Sequence, residues 1–209
     1  MRRLTSKRQS EQGDTIIEVI FAIVIFAFVA ISSLAIMNQG VATGEKALEI
    51  TLVRQEVNAQ AEALRYIHEM RVVNPSSDHA ADWEKFTTSI DEGGYGRAEA
   101  TSYGVSGGEC KVPADSFILN ALTARVWSSA PSDTALAGNG NYPPYSQVKY
   151  DGNAIEAAYG IWIEAVDSEL SGRDTQKPYV DFHIRACWPA PGSDIPMTIG
   201  TIVRLYDPV

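Results

Sequence analysis

Between Val19 and Ile36 the chain carries eighteen residues whose only polar side chains are Ser32 and Ser33. At about 1.5 Å rise per residue, that run makes a helix long enough to cross most of a hydrocarbon core. A helix apolar on every side must lie in lipid or among other apolar helices. A secretory signal peptide has a shorter apolar centre followed by a small-residue cleavage site. Here the order is reversed: Gly13 precedes the run and ends a leader holding Arg2, Arg3, Lys7 and Arg8. Basic residues just before an apolar span place the N-terminus in the cytoplasm. The domain that follows is therefore expected to face outward.

Glu18 stands at the edge of this run. A charged residue at the centre of a membrane helix costs roughly 2.5–3.5 kcal/mol, and intramembrane ionisable groups usually have a partner and a task. A cut between Gly13 and Asp14 would create an α-amino group four residues before Glu18. One helical turn is too short for that amine to serve its own Glu18 comfortably. A neighbouring subunit, shifted along the axis, would supply the amine instead. Stacked helices would then hold a fixed stagger, each pair neutralising two charges that lipid disfavours.

Gly13-Asp14-Thr15-Ile16-Ile17-Glu18 ahead of a long apolar helix resembles the class III leader of type IV pilins and pseudopilins. In that family a prepilin peptidase cuts after the glycine and methylates the new amino terminus, and the glutamate guides the subunit into a helical filament. The resemblance makes Gly13 the cleavage glycine, Asp14 the first mature residue and Glu18 the assembly glutamate. It covers roughly the first 70 residues, and the rest of the chain is too variable in the family to match by motif. One departure is Asp14, where the family usually carries phenylalanine or another apolar residue. An acidic residue there would compete for the new amine, leaves methylation open, and points to a minor subunit or a divergent lineage. The retained Glu18 argues against a tip-type subunit, which often lacks it. The alternative reading is an uncleaved signal anchor.

The resemblance implies a pilin-like α+β fold, with a long N-terminal helix, transmembrane in its first half, packed on an antiparallel sheet. Its parts would be a leader over 1–13, a transmembrane and polymerisation helix over 14–37, an amphipathic second half over 38–73, and an extracytoplasmic domain over 74–209. Implied partners are other pilin subunits, the prepilin peptidase, the inner-membrane assembly machinery and, before assembly, membrane lipid. The destination is an extracellular pilus or the periplasmic pseudopilus of a type II secretion system, which share leader and helix. A membrane-anchored binding or adhesion module that never polymerises is the reading from another class.

Without residues 1–13 the chain holds 13 basic and 25 acidic residues, a net charge of −12. Such a surface repels the phosphate backbone, so nucleic-acid binding is not expected. The two cysteines, Cys110 and Cys187, would meet an oxidising environment in an exported domain, where an even count favours a disulfide. The bond would add roughly 4 kcal/mol through the unfolded state. The family often staples its variable C-terminal region this way, while two buried free thiols are the alternative.

Past Ile36, Gly40 and Gly44 each lower helix propensity by about 1 kcal/mol relative to alanine. They either permit local bending, as in related pilins, or are ordinary tolerated glycines. Ile50, Val53, Val57, Ala61, Leu64 and Ile67 recur at spacings of three and four and line one face, with Glu49, Arg54, Glu56, Asn58 and Glu62 largely on others. Asn74-Pro75 is expected to end this helix. Pro75 to Gly108 reads as a connecting region with a short helix near Asp82–Ile90 and turns at Gly93-Gly94-Tyr95-Gly96 and Gly107-Gly108. Ala114–Trp127 fits a helix or a strand. Ser128–Tyr145 is a loop by composition and a candidate contact surface. Three strands are expected, at Tyr159–Val166, Tyr179–Trp188 and Met197–Tyr206, joined as an antiparallel meander.

Catalytic signals are sparse. His68 falls on the long helix, and His183 alternates outward on its strand with Asp181 and Arg185. Asp78, His79 and Asp82 form a loose set of possible ligands whose spacing fits no defined metal site. No phosphate-cradling glycine loop and no nucleophile elbow is present in the sequence. Neither enzyme activity nor a cofactor is expected.

Overall fold

The computed structural model describes residues 15–101, 105–106, 109–113, 115–127, 144–172, 177–189 and 195–207. The chain divides into two compact units, Met1–Glu45 and Lys46–Val209. Helix α1, Thr15–Val73, contributes to both. In the first unit it contains the membrane-length apolar segment near the N-terminus, none of whose most apolar stretch is buried. It passes Gly40 and Gly44 without interruption, and a side chain at either would meet nothing within 4 Å.

The second unit is an α+β domain built on the other end of the same helix. Val53, Val57, Ala61, Leu64 and Ile67 are all buried in the main core, with Ile50 packed at its margin. The three-and-four spacing thus names the buried face, each fully buried aliphatic contributing roughly 1.5–3 kcal/mol. Two polar residues share that face, against expectation for one of them. Glu49 is 7% exposed and accepts a hydrogen bond from Trp188 Nε1 at 3.1 Å. Gln60 is fully buried; its Nε2 donates to the Leu119 carbonyl at 2.8 Å and its Oε1 accepts from the Leu119 amide at 2.9 Å.

The helix ends at Val73, before Asn74-Pro75, and α2 follows at Asp78–Thr87. Ser77 caps α2 by accepting from the Ala80 amide at 3.2 Å. That cap starts the helix four residues earlier than the Trp83–Phe86–Ile90 spacing suggested, and Ile90 opens a 3-10 turn, Ile90–Glu92, instead of ending the helix. Trp83 and Phe86 are buried, Phe86 stacking on Phe117 at 4.9 Å and meeting Phe182 edge-on at 5.2 Å. At Gly94 a Cβ would lie 2.1 Å from the Thr88 carbonyl oxygen, so the return from α2 admits only glycine.

Ten strands follow among the described residues: β1 Gly96–Arg97, β2 Val105–Ser106, β3 Glu109–Cys110, β4 Ile118–Asn120, β5 Arg125–Trp127, β6 Gln147–Asp151, β7 Ala154–Tyr159, β8 Ile161–Asp167, β9 Tyr179–Trp188 and β10 Met197–Tyr206. The main sheet has the order β1-β8-β9-β10. β8, β9 and β10 form the expected antiparallel meander, β9 and β10 in register from Met197↔Trp188 to Tyr206↔Tyr179. The sheet is nonetheless mixed, because β1 pairs with β8 in parallel, Arg97 against Val166. The region read as a plain connection therefore supplies an edge strand.

The run expected as one strand from Tyr159 breaks at Gly160, whose φ of 59° turns the chain out of β7 and into β8. β7 belongs to a separate hairpin with β6, and the Ala114–Trp127 ambiguity resolves as the short hairpin β4–β5. Ile161, Ile163 and Ala165 of β8 and Val180, Phe182, Ile184, Ala186 and Trp188 of β9 face the core shared with α1. The connection Ser168–Lys177 begins with a turn over residues 168–172.

Candidate functional site

Glu18 lies in the first turn of α1 and is exposed, as are Ile16, Ile17, Val19 and Ile20 around it. A carboxylate at that end meets the positive pole of the helix dipole. Continuing along the helix, Phe21, Phe26 and Phe28 are 67%, 74% and 68% exposed. An apolar face of this kind is one that lipid or other apolar helices would cover. Gly13 and Asp14, the expected processing pair, lie outside the described residues. So does the greater part of the Ser128–Tyr145 loop, of which Pro144 and Tyr145 are described and Tyr145 packs against the core.

The residues singled out for chemistry in the second unit are held by structural partners. Asp78 and Asp82 face Arg125 on β5: Nε donates to Asp82 Oδ2 at 2.6 Å and Nη1 to Asp78 Oδ2 at 2.9 Å. Lys85 Nζ donates to Asp82 Oδ1 at 2.9 Å, and the Val126 amide to Oδ2 at 3.3 Å. Burial by itself would push the Asp82 carboxyl up, but the Arg125, Lys85 and Val126 hydrogen bonds outweigh it and hold it below its ordinary value. His79 is not their companion. It donates to the Thr123 carbonyl at 3.3 Å and meets Tyr66 edge-on at 5.4 Å. No three metal-ligating side chains gather among the described residues.

His68 donates to the Tyr206 carbonyl at 2.7 Å, with its ring 5.1 Å from Trp83. It clasps the end of β10 to the helix. His183 stands between Glu164 of β8 and Ile202 of β10 in the sheet register. A shallow groove of about 610 Å³ has Ala63, Tyr66, Glu69, His79, Leu122 and Thr123 in its lining.

The face of the sheet away from α1 carries the arrangement that sequence reading missed. Glu164 is fully buried between Arg97 Nη1 at 3.2 Å and Arg185 Nη1 at 3.1 Å, whose side chains are 10% and 9% exposed. Its Oε1 also accepts from the Thr101 amide at 3.1 Å and the Thr101 hydroxyl at 2.8 Å. Arg185 Nη1 donates to the Thr101 carbonyl at 2.6 Å. Beside this group the expected disulfide is present: Cys110 and Cys187, 77 residues apart, are joined, and both pack on buried Trp162 in a small cluster separate from the main core. A signal existed in the sequence, since Glu164 interrupts an otherwise apolar run from Ile161 to Val166. A carboxylate in such a strand needs a buried cation.

Comparison with known proteins returns no match: no family model fits the sequence, and no significant likeness to a curated protein or a solved structure is found.

Proposed function

We propose that this chain is a type IV pilin-like subunit, of the minor kind, cut after Gly13 and assembled into a filament through its N-terminal helix. The observation that carries the reading is the order of parts. A basic leader ends in Gly13, Glu18 sits one turn into α1, and an exposed apolar helix runs on from it without a break. In a filament the apolar faces of neighbouring helices would cover one another, and Glu18 would set the stagger by meeting a neighbour's amino terminus. The acidic Asp14 favours a minor subunit over a major one. The role is assembly, and the outer domain is the part each subunit presents.

The deciding measurement is the intact mass of the protein recovered from its native membrane or filament fraction. The mass of 14–209 is expected, with about 14 Da more if the amine is methylated. A mass that retains residues 1–13 would overturn the cut and make the protein an uncleaved anchor. Glu18→Ala is expected to leave the protein cleaved and membrane-bound but at least tenfold depleted in sheared filaments, a loss of about 1.4 kcal/mol or more in incorporation. Undiminished incorporation would remove the registering role.

A further inference from the structure

β10 is an outer strand of the main sheet, with β9 on one side and no neighbour in the strand order on the other. The Cys187 amide donates to the Gly160 carbonyl at 2.8 Å, so the odd residues of β9 bond toward β8 and the even ones toward β10. The partners of those even residues in register are Met197, Ile199, Thr201, Val203 and Leu205. The amides and carbonyls of Thr198, Gly200, Ile202 and Arg204 therefore point away from β9. Among the described residues no hydrogen bond reaches them. Farther along, the Tyr206 carbonyl is taken by His68 at 2.7 Å.

The strand carries none of the devices that blunt an open edge. It has no proline and no lysine, and its pairing runs without a bulge from Met197 to Tyr206. Its one charge is turned back over the sheet: Arg204 donates to Asp181 of β9 through Nε and Nη2, both at 2.7 Å, and stands 4.0 Å from the centre of the Tyr179 ring. Thr198, Gly200, Thr201 and Ile202 are exposed, Ile202 by 59%. Beside them lies a hollow of about 480 Å³ lined by His183, Arg185, Gly200, Thr201 and Ile202.

A row of backbone donors and acceptors at a two-residue period is the recognition surface for an extended chain. We propose that β10 takes an extended segment of another protein as an added antiparallel strand, with an apolar side chain of that segment seated in the hollow beside Gly200. A second copy of this chain does not fit. Glu49 meets Trp188, which pairs with Met197, and His68 meets Tyr206, so α1 and β10 run the same way within the second unit. Two β10 strands paired antiparallel about a two-fold axis would carry their α1 helices in opposite directions, which insertion in one membrane forbids; this exclusion alone rests on the function proposed above. Paired in parallel, they need a one-residue offset between outward groups that a two-fold along the strands does not supply.

Amide exchange read residue by residue by NMR, on the full-length protein in detergent micelles, tests this. The probe is a peptide of about seven residues, matching Thr198 to Arg204, with apolar residues at its odd positions, a leucine fifth to face Gly200, and threonines between. At about 1 mM peptide the amides of Gly200 and Ile202 are expected to exchange about tenfold more slowly, which corresponds to a dissociation constant of about 0.1 mM. Those of Thr201 and Val203, already bonded to β9, should not change. Glycine in place of the leucine should weaken the effect at least about threefold, and an equal effect would overturn the seating in the hollow. Ile202→Pro removes an outward amide and no bond to β9, so it should abolish the effect while Val203 stays protected. Unchanged exchange at Gly200 and Ile202 with peptide would overturn the proposal. So would protection before peptide is added: if it rises with protein concentration the edge belongs to a second copy, and if it does not, to this chain itself.

Discussion

Gln60 shows how one side chain can take the place of a strand. Its carboxamide offers a donor and an acceptor to the backbone of Leu119, as a neighbouring strand would, and the residue is wholly buried. Gln60→Leu keeps roughly the volume but replaces the carboxamide by an apolar group, and it leaves the amide and carbonyl of Leu119 unpaired in the core. At about 1–3 kcal/mol for each of the two orphaned groups, a loss of roughly 2–6 kcal/mol in unfolding free energy is expected. Urea denaturation of the protein measures it. A change below about 0.5 kcal/mol would place the variant among ordinary surface substitutions and refute the clamp.

At the scale of elements, two buried aspartates make stability depend on pH in opposite senses. Asp82, which ties α2 to β5, has its carboxyl held below the ordinary value of about 3.9. Its contribution is complete above that value and is lost as pH falls through the depressed folded value. Asp167 ends β8 and accepts from the amides of Glu169 at 2.6 Å and Leu170 at 3.3 Å, yet burial prevails over these bonds and raises its carboxyl. There the folded state takes up the proton more readily. Stability is gained as pH falls through the raised value, and the gain is complete below the ordinary one. Unfolding free energy measured from neutral pH downward should rise slightly and then fall. Asp167→Asn is expected to remove the rise and Asp82→Asn part of the fall; an unchanged acid limb in Asp82→Asn would count against the pairing.

The same scale shows what the residues disclosed beforehand. The ends of β9 and β10 were legible because alternation and turn residues agree there, and the α1 stripe was legible because its period is strict. β1 was not: Gly96 and Arg97 carry no strand signal, and they become a strand only because β8 presents an open edge. The break at Gly160 was hidden by the β-branched and aromatic residues around it. Glu49 and Gln60 are polar residues standing at stripe positions, and only their distant partners, Trp188 and Leu119, explain their burial. The Cys110–Cys187 pair was legible, whereas the charged group beside it depends on three segments meeting.

For the whole molecule, the boundary near Glu45 separates an apolar helical unit from one that holds the core and the disulfide. Everything needed to bury the stripe of α1 lies on the second side. The fragment 46–209, exported to an oxidising compartment, is expected to fold alone, with one cooperative thermal transition and the disulfide formed. Circular dichroism and thiol titration check it. A fragment that stays unfolded although oxidised would show that the compact unit is not a folding unit. Gly13 and Asp14 are legible only as a motif, and their role rests on the processed mass.

The sequence order of the core has a consequence for how the protein is made. The stripe from Val53 to Ile67 leaves the ribosome early, and the strands that cover it, β8 and β9, span residues 161–188. From Ile67 to the start of β8 the chain runs 161 − 67 = 94 residues before those strands can complete the cover. At typical synthesis rates of about 5–20 residues per second, the interval lasts several seconds or longer. During translation the apolar helical face therefore waits for most of its cover. A nascent chain stalled before β8 lacks the strands that complete the cover of that face, and only the earlier core elements, such as α2 and β4, are left to pack on it.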